Sequence, residues 1–108
     1  MIEYEQFRQV DMRVGKVVSA EPLAGARRPA YRMTIDFGPL GMRQSSAQIT
    51  DLYTPRDLVG RLVVAVVNFP PKRIAGFRSE VLVLGVDTGA GVALLGVDGD
   101  VPLGARVY

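Results

Sequence analysis

The sequence predicts an all-β fold, a small barrel closed from short strands, and three observations carry that prediction. Apolar and polar residues alternate with period two rather than at helical spacing, most cleanly in Tyr31-Arg32-Met33-Thr34-Ile35-Asp36-Phe37. Glycine and proline, 12 and 7 of the 108 residues, fall between such runs as turn punctuation. A single strong helix start, Thr54-Pro55-Arg56-Asp57, stands in mid-chain with strand-like runs before and after it.

Taken in order, Tyr4, Phe7 and Val10 are spaced by three, which predicts one helical turn docking its apolar side on the body. Val10 to Val14 alternates, Gly15 interrupts, and Lys16-Val17-Val18 resumes, so a strand with a bulge or sharp coil at Gly15 is expected. The segment from Glu21 to Pro29 is a loop with Arg27 and Arg28 at its end. In the next strand Tyr31, Met33, Ile35 and Phe37 share the core face, and Arg32, Thr34 and Asp36 the other. A turn at Gly38-Pro39-Leu40-Gly41 leads into an unusually polar strand from Met42 to about Ile49, whose side chains face either a groove or solvent.

Thr54 caps the helix, Pro55 takes its first position, Asp57 closes a capping box, and Gly60 ends it. The continuous β-branched run Leu62 to Val67 reads as a strand buried on both faces, stopped by Pro70-Pro71. Further strands are expected near Val81–Val86 and Val92–Val97, parted by turns at Asp87-Thr88-Gly89 and Asp98-Gly99-Asp100. The tail from Val101 to Tyr108 is apolar and mostly small. The best match is a five-stranded Greek-key OB-fold barrel with short helices and extra terminal strands, occupying residues 1–108 as a single domain. Such barrels bind oligonucleotides and oligosaccharides; a plain β-sandwich is the alternative.

Composition narrows the chemistry. With 48% apolar and 22% charged residues the chain is globular. No apolar run approaches the roughly 18 residues of a membrane span, so no membrane insertion is expected. The acidic start Met1-Ile2-Glu3-Tyr4-Glu5 lacks a signal-peptide core, and with no cysteine the expected location is cytoplasmic. The absence of histidine removes the imidazole base and the Ser-His-Asp triad. The acids stand singly along the chain, and Asp98 and Asp100 flank a turn glycine. No metal, no cofactor and no enzymatic activity are therefore expected. Net charge is only +2, yet residues 22–80 carry nine cations against four acids while both flanks are net acidic. A basic middle recruits polyanions.

The segment Asn68 to Glu80 stands out, with Lys72, Arg73 and Arg78 interleaved with Ile74 and Phe77 and a turn at Gly76. It reads as a rigid basic loop at the mouth of the barrel.

The ordered set of motifs resembles the CsaA-type proteins, a stand-alone branch of the tRNA-binding domains also appended to some aminoacyl-tRNA synthetases. The resemblance spans nearly the whole chain. It rests on Phe7 through Gly15, Ala26-Arg27-Arg28-Pro29-Ala30-Tyr31, Thr34 through Gly38, Ser45-Ser46-Ala47-Gln48-Ile49 and Tyr53-Thr54-Pro55. Its most specific part is Val66-Val67-Asn68-Phe69-Pro70-Pro71, continuing through Ile74-Ala75-Gly76-Phe77 to Ser79-Glu80-Val81-Leu82. Ser45 through Ile49 stands where the synthetase-appended domains tend to have Ser-Gly-Ile. The resemblance implies a cytoplasmic OB-fold homodimer, an export-related chaperone for unfolded precursor peptides, with the export machinery as a further partner. It also implies tRNA binding without strong sequence preference.

For RNA, the candidate phosphate contacts are Lys72, Arg73, Arg78, Arg27 and Arg28, with Asn68, Ser46, Gln48 and Ser79 as neutral hydrogen-bonding groups. Phe69 and Phe77 are candidate stacking rings, and with Ile74 they are also the candidate peptide contacts. Caps on the barrel remain the alternative role for both phenylalanines. Signal sequences are basic, so a basic groove suits tRNA better than a signal peptide; a pure peptide-binding secretion chaperone is the second reading. The apolar tail suggests a two-fold partner, or a fold back onto its own barrel.

Overall fold

The alternation of residues 31–37 becomes strand β2 (Tyr31–Asp36), whose inward residues Tyr31, Met33 and Ile35 are buried and whose neighbour Phe37 is fully buried. The computed structural model describes residues 1–108. β2 lies antiparallel between β1 (Met12–Pro22) and β3 (Met42–Ala47). The other edge of β1 takes β4 (Leu62–Val66), which in turn pairs with β7 (Leu82–Val83). The strand order β3-β2-β1-β4-β7 makes β3 and β7 run in the same direction.

The two ends of that sheet meet and close the barrel. The Glu80 N–H donates to the Gln44 carbonyl at 2.8 Å, and the Gln44 N–H to Glu80 Oε1 at 3.0 Å. The Ser46 N–H donates to Ser79 Oγ at 3.0 Å, and the Ser45 hydroxyl to the Val81 carbonyl at 3.1 Å. The polar strand is thus no free edge: fully buried Ser45 turns inward at the seam, satisfied by that bond. The fold is all-β and OB-like.

The core gathers Val17, Met33, Ile35, Phe37, Val63, Ala65 and Val81, with Leu58 plugging one end. Leu58 comes from the one-turn helix α2 (Pro55–Leu58), where the Asp57 N–H donates to Thr54 Oγ1 and the Thr54 N–H to Asp57 Oδ2. β4 is buried from Val63 through Val66, on both of its faces.

Four expectations need correction. The β1–β2 register shifts between Val17 and Ser19, not at Gly15, which pairs with Val63 in unbroken register. Gly15 serves close approach instead, because Ile35 and Phe37 occupy the space a side chain would need. The basic loop is a hairpin, β5 (Lys72–Ile74) against β6 (Phe77–Ser79), a ladder of its own whose Ser79 end joins β3 at the seam. The two later strands are broken into short pieces: β7, then β8 (Gly85–Asp87) paired with β9 (Val92–Leu94). At the helix near the N-terminus, α1 (Tyr4–Arg8), Tyr4 is 72% exposed while Phe7 and the following Val10 are half-buried, so the apolar side is covered in part. The tail folds back as β10 (Arg106–Val107) on the start of β1, leaving Tyr108 exposed.

Candidate nucleic-acid interface

The exposed face of β2 and β3 is overhung by two segments, the 23–30 loop between β1 and β2 and the β5–β6 hairpin between β4 and β7. OB-folds bind their ligands on this face and with these two connections. The hairpin turns through Ala75 and Gly76, both at positive φ, 51° and 78°, as a two-residue reverse turn of the primed type requires. Its tip leans on the first loop: a methyl placed at Gly25 would stand 3.8 Å from the Ala75 Cβ. Grooves lie on both sides of this close approach.

On one side lies a groove of about 670 Å³ walled by Arg27 and Arg28 from the loop, Ser46 and Gln48 from the β3 end, and Lys72, Arg73 and Ile74 from the hairpin. A smaller apolar cleft of about 310 Å³ adjoins it, sharing Ser46, Lys72 and Ile74 and adding Phe69, Ser79 and Leu82. On the other side of the hairpin, Phe77 and Arg78 line a separate groove of about 520 Å³. The structure therefore brings together Arg27, Arg28, Ser46, Gln48, Lys72, Arg73 and Ile74. It sets Phe69 and Ser79 next to them, and Phe77 and Arg78 across the hairpin.

Asn68 stands outside all of these. Its Oδ1 accepts from the Asp11 N–H at 3.0 Å and its Nδ2 donates to the Gln9 carbonyl at 2.7 Å, tying α1 to the barrel. Ser79 uses its Oγ to accept from Ser46 at the seam. Phe69 is about half exposed, at 49%, and Phe77 is half-buried.

The electrostatics follow from where the acids are spent. Of the four acids in the basic segment, Asp36, Asp57 and Glu80 each accept a backbone N–H. The Asp57 carboxyl is held below the usual carboxylate range by the Thr54 backbone N–H and hydroxyl and by the nearby Arg61. The ion pairs of the molecule are Arg8–Glu5, Arg13–Asp11 and Arg32–Glu21. Arg27, Arg28, Lys72, Arg73 and Arg78 have no carboxylate partner. Five unneutralised cations around one face make a local positive field that the modest net charge conceals. No cluster of acids, histidines or cysteines capable of holding a metal ion forms anywhere in the molecule.

Residues 12–106 match the family model described as a putative tRNA binding domain. The chain belongs to that family. Among curated proteins it is similar to the methionine–tRNA ligase of Thermotoga maritima, 38% identical over 106 residues, which are 98% of this chain and 16% of that enzyme. The corresponding ligase of Methanosarcina mazei is 35% identical over 108 residues, 99% of this chain and 15% of its own length. The chain thus spans only about a sixth of these relatives.

Among solved structures, the chaperone CsaA of Bacillus anthracis superposes with a TM-score of 0.94 at 54% identity, covering 100% of this chain and 99% of that one. The CsaA chaperone protein of Picrophilus torridus gives 0.95 at 48% identity with both chains fully covered. A protein from Pyrococcus horikoshii described as related to the methionyl enzyme gives 0.89 at 29%, covering 100% and 98%. The family therefore agrees with the resemblance read from the motifs.

Arg32 of β2 lines the far groove and was not among the sequence candidates, whereas Gln44 beside it belongs to the polar strand expected to face either a groove or solvent. The alternation placed Arg32 on the outer face, but which part of that face the hairpin would overhang was not visible in the pattern.

Proposed function

We propose that this protein is a non-catalytic, homodimeric tRNA-binding module that also acts in the cytoplasm as a chaperone for unfolded export precursors. The observation that carries the tRNA half is the groove that gathers Arg27, Arg28, Lys72 and Arg73 with no carboxylate paired to them. Such cations gain affinity by releasing counterions from phosphates, without reading sequence. The family membership and the similarity to part of two methionine–tRNA ligases support the same ligand.

The chaperone half rests on the similarity to two proteins described as CsaA chaperones and on the apolar cleft of Phe69, Pro70, Ile74 and Leu82 beside the basic groove. A cleft of that kind accepts an apolar side chain of an extended peptide. Dimerisation is supported by a second apolar hollow of about 410 Å³, lined by Val14, Val64, Val97, Val101 and Val107 beside the exposed Tyr108. A two-fold copy seated there covers that surface.

The test is a filter-binding titration of mixed tRNA at low salt, run beside suppression of aggregation of an unfolded precursor. Wild type is expected to bind tRNA and protect the client. Lys72→Ala weakens tRNA binding across all sequences, whereas Phe69→Ser removes protection and spares most tRNA affinity. A wild type that does not retain tRNA at low salt overturns the tRNA reading. The secretion-chaperone reading without RNA then stands if protection persists.

A further inference from the structure

Arg73 and Arg78 face each other directly across the β5–β6 hairpin, and neither has an acidic partner. Like charges in opposed strand positions destabilise the pair of strands. Arg73 borders the grooves on both sides of the hairpin, while Arg78 borders the far one. In that far groove the hairpin meets Arg32 and Gln44, and a neighbouring hollow of about 230 Å³ continues over Ser19, Glu21, Arg32 and Gln44 with Phe77 as one wall. Here Arg32 is paired: its Nε donates to Glu21 Oε1 at 2.6 Å, in a bridge about half exposed on both sides. An exposed bridge of this kind contributes little stability and opens readily to a competing anion.

We propose that the RNA chain straddles the hairpin, running from the Arg27–Arg28 groove over the opposed Arg73–Arg78 pair and into the far groove. There Arg32 gives up Glu21 to take a phosphate, Gln44 hydrogen-bonds the strand, and Phe77 stacks a base. The proposal rests on the tRNA reading and extends it to a second groove. Phosphate between Arg73 and Arg78 removes their repulsion, and the Arg32 guanidinium, which holds Glu21 through one carboxylate oxygen, exchanges that oxyanion for another. Glu21 becomes the residue that restrains the far groove.

The test uses the full chain with mixed tRNA and with single-stranded oligouridylates of graded length. Arg32→Ala and Arg78→Ala are each expected to lower the log–log salt slope of oligouridylate binding by about 0.7, one phosphate contact apiece. Both variants reach full affinity at a shorter oligonucleotide than wild type. Glu21→Gln is expected to tighten binding severalfold, and that gain disappears in the Arg32→Ala background because the two residues act on one contact. An equal gain from Glu21→Gln with and without Arg32, or unchanged slopes in both arginine variants while Lys72→Ala still weakens tRNA, overturns the second groove and leaves the first intact. Loss of binding to a reduced, unfolded polypeptide in Arg32→Ala and Arg78→Ala, with RNA affinity kept, overturns it as well, because the far groove is then a peptide site. Absence of any tRNA binding by wild type defeats the underlying reading instead.

Discussion

A Cβ added at Gly15 would stand 2.6 Å from Ile35 Cγ2 and 2.7 Å from Phe37 Cε1, two fully buried side chains with no room to retreat. Gly15→Ala is therefore expected to destabilise the fold by about 1–3 kcal/mol, read as a lower denaturant midpoint at unchanged slope. Ala75 makes the opposite case. It holds φ 51°, a left-handed conformation that costs an L-residue about 1–2 kcal/mol and that asparagine tolerates better. Ala75→Asn is expected to raise the thermal midpoint, since its neighbour Gly76 keeps the same turn. The sequence displayed both residues but not their reasons. A glycine within a strand signals a bulge or a close approach equally well, and only the packing of Phe37 against β1 decides between them. The fates of Asn68 and Arg32 were hidden for the same reason. A polar side chain beside a strand shows its chemistry in the sequence, but not whether a carbonyl, a carboxylate or an open groove lies next to it.

Among the elements, α2 was legible down to its cap, because a capping box is a local pattern that needs no tertiary partner. Thr54→Ala is expected to cost about 1 kcal/mol. The Asp57 carboxyl is depressed in the folded state, so the stability it contributes is present above its unfolded value near pH ~3.9 and is lost as pH falls through the folded one. Asp57→Asn should accordingly be less stable than wild type at neutral pH. The gap closes in acid, and a gap that persists unchanged to about pH 2 contradicts the cap's charge. The β5–β6 hairpin was not legible as an element. Its strands are three residues each, too short for an alternating pattern, and its turn is Ala-Gly where Asn-Gly is the recognisable signal. The sequence did show its cations, and the fold adds where they stand: Lys72 at one groove, Arg78 at the other, and Arg73 bordering both.

For the whole molecule, the barrel was readable because its long strands carry their burial in the sequence. The period-two face of β2 and the apolar run of β4 specify where two of its walls lie. Closure was not readable, since it depends on the seam of Gln44, Ser45 and Ser46 against Ser79, Glu80 and Val81, residues that look like a solvated edge in isolation. The same holds for charge. A net +2 says little, but the folded arrangement commits three of the four central acids to backbone N–H groups and leaves five cations free on one face. Attraction of tRNA by that uncompensated field has its clearest readout in the salt dependence of binding. Affinity of wild type should fall linearly on a log–log plot against salt, and Lys72→Ala and Arg73→Ala should each reduce the slope by about 0.7–0.9. Slopes identical to wild type in both variants would contradict phosphate contact by this face.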